Sequence, residues 1–108
     1  MNTSQFDKEG FLLDLNDWSE QMADEIAKNE GITLSEDHWQ VVFLLRKFYD
    51  EFERSPNMRA LVNYLKKSLP EEQVKSKANS IFLLSLFPES PAKLGSKIAG
   101  LPKPENCL

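Results

Sequence analysis

Apolar residues recur at helical spacing along most of the chain, and short polar or turn-forming stretches divide them into blocks. Trp18, Met22 and Ile26 fall four residues apart with Ala23 and Ala27 beside them. Asn16 or Asp17 is placed to cap this first helix, and Gly31 to end it. Ser35 then caps a second helix, with Glu36 and Asp37 near its positive end. That helix carries Trp39, Val41, Val42, Phe43, Leu44, Leu45, Phe48, Tyr49 and Phe52. Apolar side chains go most of the way round it, which predicts the central, nearly surrounded element of the core.

Ser55-Pro56 reads as an N-cap followed by proline at the first helical position. It opens a third helix with Met58, Leu61, Val62, Leu65 and Leu69 on one face, stopped by Pro70. Residues 70–79 are polar and predict a loop or a single weak turn of helix. Ser80 starts a short apolar helix over Ile81 to Phe87, and Ser90-Pro91 begins a last one through Leu94 and Ile98, closed by Gly100. At the front, Gln5-Phe6 and Phe11-Leu12-Leu13 flank the turn-like Asp7-Lys8-Glu9-Gly10 and predict a short β-hairpin. The expectation is one mainly α domain over residues 1–108. It comprises a hairpin in 1–13, a compact bundle of about five helices in 16–99, and an extended C-terminal arm in 100–108.

Composition sets bounds around this picture. A chain of 108 residues, 41% hydrophobic and 28% charged, can bury a core without disulfides or metals. No apolar run is long enough to span a membrane, and the first residues show no secretory signal. With a single cysteine, the expected location is the reducing cytoplasm. Charge is uneven. Residues 1–58 hold 5 Lys/Arg against 13 Asp/Glu, a net −8, while residues 59–108 hold 8 against 4, a net +4. The basic half could meet an acidic surface, or the charges could simply solvate helix faces.

Most catalytic chemistry lacks the residues it needs. Structural zinc requires about four Cys/His ligands, and the chain has one cysteine, Cys107, and one histidine, His38. His38 falls in the first turn of the second helix, where a structural role is expected. The four glycines are scattered and form no phosphate loop. No metal or cofactor is expected. The second and third helices could be read as helix-turn-helix, and Arg59, Lys66 and Lys67 would suit DNA. Asp50, Glu51 and Glu53 at the turn and the overall acidity oppose it, since phosphate neutralisation dominates such affinity.

The tail is the strongest feature. Leu101-Pro102-Lys103-Pro104 is held out of helix by its prolines, and the eight residues beyond Gly100 would reach on the order of 25 Å if extended. Such an arm, hinged at Gly100, could deliver Cys107 into a cleft on another protein, where its thiolate attacks or accepts sulfur. Lys93, Lys97 and Lys103 would favour the thiolate or steer a partner, and Glu105 would oppose the charge. A tail with an incidental cysteine is the alternative.

Here a resemblance enters. In order along the whole chain, Gly10-Phe11-Leu12, Asp17-Trp18-Ser19-Glu20, Glu30-Gly31-Ile32-Thr33-Leu34, His38-Trp39, Phe48-Tyr49, Ser55-Pro56 and Leu86-Phe87-Pro88 match the TusE/DsrC family. The most specific stretch is Lys97-Ile98-Ala99-Gly100-Leu101-Pro102-Lys103-Pro104 ending in Cys107. The resemblance implies a mostly helical orthogonal bundle with a small β-hairpin, and sulfur transfer with Cys107 holding sulfur as a persulfide. DsrC proper has a second cysteine where this chain has Ser96, so its two-thiol chemistry is not implied here. The TusE-like branch implies a bacterial cytoplasmic relay. In it, a TusBCD-like donor complex passes sulfur to this chain, and an MnmA-like thiolase uses it for 2-thiouridine at the tRNA wobble position. Contact with tRNA would be indirect, and none with DNA or membrane is implied. A DsrC-like partner in dissimilatory sulfur metabolism, disfavoured by Ser96, and a DNA-binding module are the remaining alternatives.

Overall fold

The computed structural model describes residues 5–105. Its order is a short 3-10 helix, Leu15–Asp17, followed by α1 (Glu20–Asn29), α2 (Glu36–Phe52), α3 (Met58–Ser68), α4 (Glu71–Lys77), α5 (Ser80–Leu86) and α6 (Pro91–Ile98). The Cα radius of gyration, 13.0 Å, is that of a compact chain of about this length. None of these helices is long and apolar enough to cross a membrane.

The caps explain most boundaries. Ser19, not Asn16 or Asp17, caps α1 by accepting the Met22 amide. Asp14 and the 3-10 turn use the earlier signal. Ser35 caps α2 as expected, in a capping box whose third residue is His38. The His38 Nδ1 accepts from the Ser35 amide at 3.1 Å, and its Nε2–H donates to the Leu86 carbonyl at 2.8 Å. These bonds orient the imidazole and tie α2 to α5. Asn57 rather than Ser55 caps α3, which leaves Ser55 for another bond described below.

Three expectations are corrected. The N-terminal hairpin does not form, and no strand is assigned among the described residues. The expected turn survives, with the Asp7 carboxylate accepting the Glu9 and Phe11 amides. Among the described residues a single isolated antiparallel bridge, Phe6 to Leu12, accompanies it, with the Asp7 and Leu13 amides donating to the Phe11 and Gln5 carbonyls. After Leu13, Asp14 caps the 3-10 helix that begins at Leu15, which ends the second side of the would-be hairpin. Second, the helices number six among the described residues, because 71–77 forms α4. This segment has almost no apolar face, but Glu71 and Glu72 open it and Lys75 and Lys77 close it, matching the helix dipole.

Third, α2 is not the surrounded element. It leaves Phe43 and Phe52 half exposed, whereas α6 packs against α1, α2, α3 and α5. Pro91, Ala92, Gly95, Ser96 and Ile98 of α6 are buried. A methyl group on Gly95 would lie 3.0 Å from Leu45 Cδ1, so the missing side chain is what lets α6 approach α2. The last helix, and the tail that follows it, therefore leave from the middle of the core.

Candidate functional site

Cys107, the residue on which the sequence reading rests, lies outside the described residues. What the structure describes is the base of the tail. After α6 the chain turns at Gly100, where φ is +76°. The Gly100 and Leu101 amides donate to the Lys97 and Ser96 carbonyls at 3.1 and 2.9 Å, closing the helix end in the manner usual for a left-handed residue. A Cβ on Gly100 would meet Trp18 at 2.8 Å from Cγ and 2.9 Å from Cβ, and closer still at Cδ1. The position expected as a hinge is a tight contact between backbone and indole.

Trp18 is itself held. Its Nε1–H donates to the Ile98 carbonyl at 2.9 Å, and the Arg46 guanidinium lies 4.0 Å above the ring. Arg46 Nη1 donates to the Ala99 carbonyl at 2.7 Å. Burial lowers the Arg46 pKa below the ordinary value, with Asp50 opposing that shift. The last carbonyls of α6 are thus satisfied by an indole and a cation, which suits the negative end of a helix.

Beyond Gly100 the segment 101–104 adopts neither helix nor strand, but it does not leave the body at once. Leu101 is fully buried, a contribution of about 2 kcal/mol. Ser55 Oγ donates to the Pro102 carbonyl at 2.5 Å, and Pro104 is buried again. Lys103 pairs with Glu9 at 3.0 Å, but both side chains are more than 40% exposed, so this pair contributes less than about 1 kcal/mol. The hold is firm at Leu101 and weak at Lys103. The last buried residue of the tail is Pro104, and the three residues from there to Cys107 would reach at most roughly 10 Å if extended, instead of the 25 Å counted from Gly100.

Of the three lysines expected to steer a partner, Lys97 pairs with Glu30 at 3.2 Å and Lys103 with Glu9. Lys77 likewise pairs with Asp37 at 2.9 Å. Part of the basic second half is spent on the acidic first half. Lys93 makes no ion pair among the described residues. No group of three His, Cys, Asp or Glu among them is placed to hold a metal ion.

Ser96 is fully buried, and its hydroxyl finds no partner among the described residues. An unpaired buried hydroxyl costs about 1–3 kcal/mol. Ser96→Ala is expected to raise stability by about 1 kcal/mol and the thermal midpoint by about 5 °C. A lower midpoint in a melting experiment would show that the hydroxyl does bond.

Sequence reading missed Trp18, Arg46 and Ser55 as the residues that seat the tail. The sequence reading takes Trp18 as a core position of the first helix and Ser55 as a cap, and assigns nothing to Arg46. No local signal marks them, because the partners of Trp18, Arg46 and Ser55 lie 80, 53 and 47 residues away.

Comparison with known proteins adds to this geometry. The family model described as "DsrC like protein" matches residues 1–108. A protein of Buchnera aphidicola named "Sulfurtransferase TusE" is 54% identical over 102 residues, covering 94% of this chain and 86% of that protein. The Escherichia coli protein of the same name is 50% identical over 102 residues, covering 94% and 90%. Among solved structures, the NMR structure of Allochromatium vinosum DsrC is 43% identical with a TM-score of 0.82, covering 95% of this chain and 88% of that one. The oxidized gamma-subunit of the dissimilatory sulfite reductase from Archaeoglobus fulgidus is 35% identical with a TM-score of 0.76, covering 95% and 90%.

Proposed function

The chain belongs to the DsrC-like protein family, and from that premise we propose that it is a sulfurtransferase of the TusE kind, a one-thiol sulfur carrier. Cys107 accepts sulfane sulfur as a persulfide and passes it on. Likeness to proteins named as TusE sulfurtransferases over 94% of the chain carries this reading. The single cysteine supports it, since a serine occupies the place of the second thiol and is buried.

The chemistry balances without an oxidant. The Cys107 thiolate attacks the outer sulfur of a donor persulfide, a new S–S bond forms, and the donor thiolate leaves. In the second step an acceptor thiolate attacks the outer sulfur of the Cys107 persulfide, and the Cys107 thiolate leaves in turn. Each step exchanges one S–S bond for another, so the equilibrium is near balance. No base or oxyanion site is required of the carrier.

The donor in this reading is a TusBCD-like complex and the acceptor an MnmA-like thiolase, which places the chain in the cytoplasmic relay that makes wobble 2-thiouridine. The base of the tail fixes where the thiol is presented; Gly100, Leu101, Pro102, Lys103 and Pro104 set its direction. Expression of the chain in a bacterium deleted for its own relay protein tests the reading. Restored 2-thiouridine in tRNA is the expected result. Unrestored levels with the chain present and folded would contradict it.

A further inference from the structure

A groove of about 440 Å³ runs beside the tail, with Tyr49, Arg54, Asn57 and Ala60 on one side and Pro102 and Glu105 on the other. One wall is the corner between α2 and α3, and the other is the tail itself. Ser55, within that corner, bonds the Pro102 carbonyl and holds the two walls together. Glu53 at the same corner is left-handed, with φ +52°.

Building on the carrier reading, we infer that this groove is the docking surface for the acceptor protein, the one that takes sulfur from Cys107. The argument is one of reach. Leu101 and Pro104 are buried, so only roughly 10 Å of chain separates the last seated residue from the thiol. A partner that meets Cys107 within that span must lie against the surface where the tail departs, and that surface is the groove.

The same geometry specifies the partner. It is a protein whose reactive cysteine sits no deeper than about 10 Å below its surface. The groove mixes two cations, Arg54 and Lys103, with the anions Glu53 and Glu105 and with hydrogen-bonding side chains. A partner rim that fits is polar and carries both charges, as in transient interfaces that must release after each transfer. Apolar anchoring is not what this surface offers.

The test separates docking from chemistry. Cys107 is loaded with inorganic polysulfide, and sulfur release is timed to dithiothreitol and to the MnmA-like thiolase of the same bacterium. Ala60→Arg and Ala60→Glu each fill the groove with opposite charges, and both leave the Ala60 amide free to bond Asn57 Oδ1. In both variants, release to the thiolase is expected to slow roughly tenfold or more, while release to dithiothreitol stays within about twofold. Unchanged transfer to the thiolase, or an equal fall for both acceptors, would overturn the docking surface and leave the carrier intact. Faster release to dithiothreitol alone would mean that the chain's own end fills the groove, and would also overturn it. Failure of the unmodified protein to load, or to deliver to the thiolase, would sink the carrier reading and the inference with it.

Discussion

Gly100→Ala is expected to cost roughly 3 kcal/mol and to lower the thermal midpoint by about 15 °C. Two costs add. The backbone there has φ +76°, which an L-residue adopts at a cost of about 1–2 kcal/mol. The new Cβ would also press into Trp18 at 2.8 Å from Cγ and 2.9 Å from Cβ. Trp18 cannot swing away freely, because its Nε1 is bonded to Ile98 and Arg46 covers its face. Relief requires moving either the indole or the start of the tail, and both hold the α6 terminus. The check is a thermal melt of the variant against the parent. A midpoint within about 2 °C of the parent would mean that the turn has slack and that Gly100 can act as a free pivot.

Cys107→Ser is expected to abolish sulfur transfer while leaving the melt unchanged. A hydroxyl is a poor nucleophile toward divalent sulfur, and no other cysteine exists in the chain to take its place. Donor-dependent delivery to an acceptor should fall to the background seen without the carrier. Retained delivery by the serine variant would show that the chain acts as a scaffold and not as a sulfur-bearing intermediate.

Much of the helical order was legible because caps are local. Ser35 before Glu36 and Asp37, and proline at the first position of the last helix, point to elements that the structure contains. The hairpin failed for a local reason too, since Asp14 claims the chain before a second strand can lengthen. The α4 helix was missed because its signal is charge order along the dipole and not an apolar face. The centrality of α6 was illegible because Gly95 and Ser96 look weak in sequence, yet close packing needs small residues.

The chemistry divides in the same way. Cys107 stands out as the one thiol, and the resemblance gives it a task, but the base of the tail depends on Trp18, Arg46 and Ser55 reaching across the fold. Periodicity cannot register such contacts. It also cannot register that Lys97 and Lys103 spend their charge on Glu30 and Glu9.

Intact-mass analysis after incubation with a persulfide-loaded donor, followed by peptide mapping, puts the central claim to its most direct test. The mass should rise by one sulfur atom, located on Cys107 and removed by a thiol reductant. An unshifted mass with a donor that loads other carriers, or sulfur mapped to any other residue, would contradict the account.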